Sequence, residues 1–215
     1  MVVNRPKDEE ELQKREAIGV IRASRFIRKY AQSHQDISVD VICKIHKEIF
    51  KSAWPEIAGV FRIEDLVISD SELILPHYIE VPGLMKMLND DLATKLKDLK
   101  ECEGYVISLA HEVTDEGIEC IEKIIHLTSW LHHRITIIHP FRDGNGRTAR
   151  LAANFILERY GLVGISVKLE KENKNQYRKA LEQIDKYEDY EPLESIITEG
   201  IMERYDGVSM KYYEY

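Results

Sequence analysis

The chain has 215 residues and a mass of 25.1 kDa, with 44% hydrophobic and 32% charged residues, enough to bury one core and ordinary for a soluble globular domain. Its net charge of −8 excludes a non-specific nucleic-acid coat, because neutralising a line of phosphates needs a basic face. One nucleotide site remains allowed, since two local arginines suffice for a triphosphate.

In chain order the pattern is helical almost throughout. The acidic run Asp8 to Glu11 suits the positive end of a helix dipole. Ala17, Val20, Ile21, Ser24, Ile27 and Ala31 then recur at three- and four-residue steps, predicting a helix from about Glu9 to Gln32. Ser38 is placed to cap a second helix carrying Ile42, Ile45 and Ile49. Gly59 to Tyr78 departs from this period. Two aliphatic runs, Leu66–Ile68 and Leu73–Leu75, flank a polar Ser69-Asp70-Ser71 and predict a short β-hairpin. Pro82 fits the first turn of a third helix with Leu84, Leu88, Leu92, Leu96 and Leu99 on one side. A fourth carries Ile118, Ile121, Ile125, Thr128 and Leu131. Shorter helices are predicted over about Thr148–Arg159, Lys174–Lys186 and Pro192–Arg204.

No apolar run reaches the roughly 20 residues that a membrane helix needs, and Met1 to Arg15 lacks an apolar signal-peptide core. Cys43, Cys102 and Cys120 are odd in number and widely separated, with neither metal-ligand spacing nor a disulfide framework. A reducing, cytoplasmic setting is therefore expected. His126 and His133 lie seven apart and can share a helix face, but no third ligand falls at matching spacing. They are expected to be capped or surface histidines.

The chemistry is concentrated in His139-Pro-Phe-Arg-Asp-Gly-Asn-Gly-Arg-Thr-Ala-Arg150. Here an apolar helix ends, a glycine-punctuated loop follows, and a new helix begins. Free backbone N–H groups and the helix dipole make such an N-terminus an anion site, and Gly144 and Gly146 let phosphate oxygens approach the backbone. Arg147 and Arg150 share a helix face and can grip phosphates bidentately. Asp143 offers a hard oxygen to Mg²⁺, and His139 has a pKa suited to proton abstraction. The segment fails as a calcium loop, because Arg147 stands where a ligand belongs, and as a Walker loop, because it lacks Gly-Lys-Ser/Thr.

All specified positions of this segment match the signature of Fic-domain proteins, which the chain therefore resembles. Gly59-Val-Phe-Arg62, the hairpin after it and Val81-Pro-Gly-Leu-Met85 resemble the family's flap and the helix behind it. Tyr177-Arg-Lys-Ala-Leu181 and Tyr190-Glu-Pro-Leu193 resemble its closing helices. The resemblance implies an all-α Fic fold, a single helical domain with a short β-hairpin flap. A catalytic domain is expected over 1–190 (flap about 59–78, motif 139–150), with a C-terminal inhibitory helix and tail over 191–215.

It also implies a protein adenylyltransferase, moving AMP from ATP to Ser, Thr or Tyr hydroxyls of target proteins and of the enzyme itself, with ATP as co-substrate and Mg²⁺ as cofactor. His139 would be the base and Asp143 the metal ligand. Gly144, Asn145 and Gly146 would form the anion hole, Arg147 and Arg150 would hold the outer phosphates, and Tyr177 would approach the adenine. At the position of the family's adenine-side Asn the nearest counterpart is Asp185. Ser195-Ile-Ile-Thr-Glu199-Gly200 fits the family's inhibitory pattern, with Glu199 pairing to Arg150 and Ser195 beside it. The target would add as a strand to the flap; compact bacterial relatives modify type II topoisomerases among other machinery. No membrane and no direct nucleic-acid partner are expected, and a homo-oligomer stays open. So do removal of AMP from targets, transfer of another phospho-group, and a non-catalytic binding role.

Overall fold

The computed structural model describes residues 6–33, 36–68, 73–103, 114–165 and 171–212, the last set in backbone alone for 171–174 and 205–212. Among the described residues there are seven α-helices: α1 (Glu9–Ala31), α2 (Val39–Phe50), α3 (Val81–Asp98), α4 (Asp115–Ile138), α5 (Asn145–Arg159), α6 (Lys171–Tyr187) and α7 (Glu191–Tyr212). A 3₁₀ turn, Lys100–Cys102, follows α3.

The start signals are local. Asp8 accepts from the Glu11 N–H at 2.8 Å, Ser38 from Val41 at 3.4 Å and Thr114 from Gly117 at 3.1 Å. Each satisfies one donor that the first turn leaves orphaned. Pro82 opens α3, where its missing N–H costs nothing.

The centre of the fold is α4. Its residues are buried on most sides, with Ile124, Leu131 and Ile135 fully enclosed, as befits a helix wrapped by neighbours. Its most extensive partner is α5, while α3, α7 and the α1–α2 pair complete the layer around these two. Helix α1 can lie close on α2 because of Gly19: a Cβ there would run into the Ile49 carbonyl. Such a close approach outweighs the cost of glycine inside a helix. The predicted helix faces hold with shifts. Ile21 (55% exposed) and Ile118 (44%) lie outside the core, and Met85 rather than Leu84 is fully buried on α3.

Two expectations are corrected. First, the arms 65–68 and 73–77 form no strand among the described residues, and the predicted turn 69–72 lies outside them. A buried side chain, described below, ties this segment to the catalytic loop. Second, Cys102 and Cys120 form a disulfide, with Cα atoms 5.4 Å apart, in the normal range for such a bridge. The turn after α3 folds Cys102 onto the first turns of α4, a juxtaposition that an 18-residue separation does not display. No helix among the described residues is long and apolar enough to cross a membrane.

Candidate active site

Residue 139 ends α4 in the left-handed region, φ 50° and ψ 57°, with its N–H returned to the Ile135 carbonyl at 3.0 Å. A non-glycine residue pays a strain cost there, of the kind concentrated at functional sites. The imidazole Nδ1 lies 3.1 Å from the Thr136 carbonyl oxygen. A carbonyl only accepts, so Nδ1 carries the hydrogen and the lone pair is left on Nε2. Burial holds the pKa below its ordinary value, and Arg62 pushes the same way, against the Thr136 hydrogen bond and Asp143. At neutral pH His139 is thus an uncharged imidazole with a free basic nitrogen.

The loop after it is fixed from inside. Phe141 is fully buried and stacks on His46 of α2 at 3.8 Å between ring centres. His46 accepts the Gly59 N–H at Nδ1 (2.8 Å), so its Nε2–H donates to the Asp143 carbonyl (3.0 Å). One buried ring thereby joins α2, the segment leading to the flap, and the motif loop. Desolvation pushes its pKa down to about 4, so it stays neutral. Nothing in the sequence marked His46; its only signal was a polar residue on the apolar Ile42–Ile45–Ile49 face.

Arg62 is the second internal tie. Only 3% exposed, it donates Nε to the His139 carbonyl (2.8 Å) and its two terminal nitrogens to Glu64 (3.0 Å) and Pro76 (2.6 Å). Its own N–H reaches the Pro140 carbonyl at 2.8 Å. Both arms of the flap segment and the catalytic loop hang on this one guanidinium, whose fork of donors suits several carbonyls at once.

The helix N-terminus is shaped by Gly144, φ 74°, whose Cβ would run into the Phe50 ring. Asn145 is 2% exposed, and its amide is consumed by both backbone groups of Phe141, at 2.8 and 2.7 Å. The side chain thus braces the loop and faces inward, which leaves the Asn145 backbone N–H as the group placed for the anion hole. Asp143 is about half exposed, with Oδ1 accepting from Gly144 N–H and Oδ2 3.2 Å from Arg147.

Arg147 stacks over Phe50 and forms an ion pair with Glu16 of α1. Arg150 is half-buried and lies near the Tyr177 hydroxyl, which acts electrostatically on it. Tyr177 also meets His132 Nε2 at 2.5 Å, and burial pushes its pKa up to about 12. Tyr177 also lines the cavity by His139, while its hydroxyl is bonded to His132. Asp185 bonds His133 at 2.8 Å and Glu194 bonds His126 at 2.7 Å. These three histidines tie α4 to α6 and α7, and no metal-holding cluster occurs among the described residues.

A cavity of about 190 Å³ opens beside His139, between the flap arms (Ile68, Leu73), Gly146 and Leu181, Glu182 and Asp185 of α6. Ser195 and Glu199 point away from it. Leu193, Ile197 and Ile201 take the buried face of α7, leaving Ser195 and Glu199 exposed. No pairing of Glu199 with Arg150 occurs among the described residues; besides the motif's own Asp143, the carboxylate paired with Arg147 is Glu16, from α1.

The chain belongs to the Fic/DOC family, whose pattern matches residues 36–157, more than half its length. Protein adenylyltransferase fic-1 of Caenorhabditis briggsae is 25% identical over 159 residues, which cover 72% of this chain and 26% of that protein. The chain thus spans about a quarter of that relative's length. A solved fragment of Fic-1 from C. elegans superposes with a TM-score of 0.67 at 25% identity, covering 99% of this chain and 56% of the fragment. A shorter stretch, 38 residues or 18% of the chain, is 53% identical to 7% of a uridine 5'-monophosphate transferase of Xanthomonas campestris.

Proposed function

We propose that the protein is an adenylyltransferase that moves AMP from ATP onto a hydroxyl of a target protein. The observation that carries this reading is the neutral His139, its Nε2 lone pair free, standing at a cavity that abuts the glycine-bounded N-terminus of α5. The target hydroxyl oxygen attacks the α-phosphorus while its proton passes to His139 Nε2. The new P–O bond forms as the bond to the bridging oxygen of the β-phosphate breaks, and pyrophosphate leaves. The α5 N–H groups and dipole stabilise the charge that builds on the α-phosphate oxygens.

Asp143, a single half-exposed carboxylate, fits Mg²⁺, which is usually held by one or two carboxylates together with substrate phosphates. Bound there, the ion would offset phosphate charge. The flap segment exposes Ile63 (83%), Val67 (94%) and Ile74 (91%), and we assign it the docking of a target strand.

Autoinhibition we assign in this conformation to Glu16, which occupies a cation that phosphate needs. The motif's regulatory role for Ser195 and Glu199 is proposed only for a state in which α7 has turned about its axis. Self-modification is proposed for one of the tyrosines near the last helix, among positions 187, 190, 205, 212, 213 and 215, of which 205, 212, 213 and 215 lie outside the described side chains.

The test is transfer of label from α-phosphate-tagged ATP, and in parallel UTP, to protein in a lysate and to a purified type II topoisomerase. Wild type, His139→Ala and Glu16→Ala are compared. Labelling that is strongest for Glu16→Ala and absent for His139→Ala supports the reading. Labelling from UTP alone would assign the chain to uridylyl transfer, the second reading that the Xanthomonas match favours. Labelling that survives His139→Ala refutes the assignment of the base.

A further inference from the structure

A second cavity, of about 300 Å³, runs along the opposite flank of α5. Its wall gathers Arg28 from α1, Arg147 and Arg150 from α5, and Arg204 from α7, with Asn154 as a neutral polar group. In a chain of net charge −8, four guanidinium groups from three helices converge on one hollow. The single carboxylate in that lining is Glu158, 3.5 Å from Arg28. Burial pushes the Glu158 carboxyl up from its ordinary range, which eases its coexistence with an anion. Arg147 and Arg28 already have carboxylate partners in Glu16 and Glu158, whereas Arg150 and Arg204 have none among the described residues. Planar guanidinium forks match phosphate oxygens two at a time. Among the described residues no aromatic ring lines the hollow for a base to stack on; its apolar wall is aliphatic, from Val20, Ile27, Leu151 and Ile165.

The two cavities share α5. Gly146 lines the one beside His139, and Arg147 and Arg150 line the other. A phosphate chain whose first phosphorus sits by His139 would emerge past these arginines into the cationic hollow.

We propose that this hollow receives the pyrophosphate released in the reaction, and that Arg28 and Arg204 are binding residues for it alongside the motif's own arginines. The inference rests on the AMP-transfer reading above. Helix α7 thereby contributes a phosphate ligand through Arg204. Discrimination between a triphosphate and a monophosphate would then depend on two residues far from the motif in sequence.

The test is calorimetric titration of the 215-residue chain with inorganic pyrophosphate in the presence of a chelator, so that no divalent ion bridges. Wild type is compared with Arg28→Ala, Arg204→Ala, Glu158→Gln and, as a control, Arg25→Ala, an exposed α1 arginine outside the hollow. Loss of one charge-assisted phosphate contact should weaken binding about tenfold. The expected result is a loss of that size for Arg28→Ala and for Arg204→Ala, tighter binding for Glu158→Gln, and no change for Arg25→Ala. Thermal unfolding of each variant should match wild type for the exposed Arg204.

Wild-type affinity in Arg28→Ala and Arg204→Ala overturns the proposal, as does an equal loss in Arg25→Ala or no binding of pyrophosphate at all. The label-transfer assay separates the two readings. Pyrophosphate binding with the expected pattern but no transfer of AMP would leave the site standing and sink the reaction. Transfer with no effect of Arg28 or Arg204 on pyrophosphate would do the reverse.

Discussion

Replacing His46 by Phe keeps a ring against Phe141 but removes both of the hydrogen bonds that join α2, Gly59 and Asp143. At pH 7 the Gly59 N–H and the Asp143 carbonyl are left without their partner. Each buried orphan costs about 1–3 kcal/mol, partly offset by the more apolar ring, so a net loss of about 2–4 kcal/mol is expected. The pH dependence sharpens the test. The folded-state pKa of His46 is near 4 against an ordinary 6.5, so the unfolded chain takes up the proton first on acidification. A depressed histidine therefore contributes stability that is intact above pH 6.5 and is lost as pH falls toward 4. Linkage between those two values puts the loss at about 2.5 kcal/mol by pH 4.5, a loss that wild type suffers and His46→Phe does not. Urea unfolding followed by tryptophan fluorescence at pH 7 and pH 4.5 measures both quantities. The gap between the proteins should narrow by about 2.5 kcal/mol on acidification. An unchanged gap would refute the neutral, buried ring, and a Phe variant as stable as wild type at pH 7 would refute its role as a tie.

Three further outcomes follow from the same geometry. Glu16→Ala frees Arg147 from its competing carboxylate and should tighten ATP binding about three- to tenfold in an equilibrium titration, in line with one exposed to half-buried ion pair. Because burial lowers the His139 pKa, the rate of AMP transfer should be flat from pH 8 to 7 and fall only as pH drops below about 6.5, the unperturbed value; a fall already under way at pH 7.5 would contradict the neutral base. Cys102→Ser, or reduction of the Cys102–Cys120 bridge, removes an 18-residue cross-link and should cost about 3 kcal/mol, read as a lower Tm with transfer activity retained at 25 °C.

Much of the site was legible because its logic is local. A base, a carboxylate, two glycines and two arginines within twelve residues specify a loop entering a helix N-terminus, and the structure builds that loop with Gly144 at positive φ. Helix starts at Asp8, Ser38 and Thr114 depend on bonds three residues long, and so they too were written in the chain. The family pattern rests on the same contiguous stretch.

What tertiary structure decided lies between segments distant in sequence. The Asn145 side chain turns inward because Phe141 folds back to present both of its backbone groups. Whether Glu199 meets Arg150 depends on the rotation of α7, and that rotation is set by where Leu193, Ile197 and Ile201 find apolar partners. A motif gives the one-turn spacing of Ser195 and Glu199 but no information about which way that face points. Glu16 lies 131 residues from Arg147, His46 lies 97 from Asp143, and Arg62 lies 77 from His139. No periodicity or spacing encodes such pairings. They arise because burying the apolar faces of α1, α2 and α4 against one another leaves these few polar groups only each other to bond with.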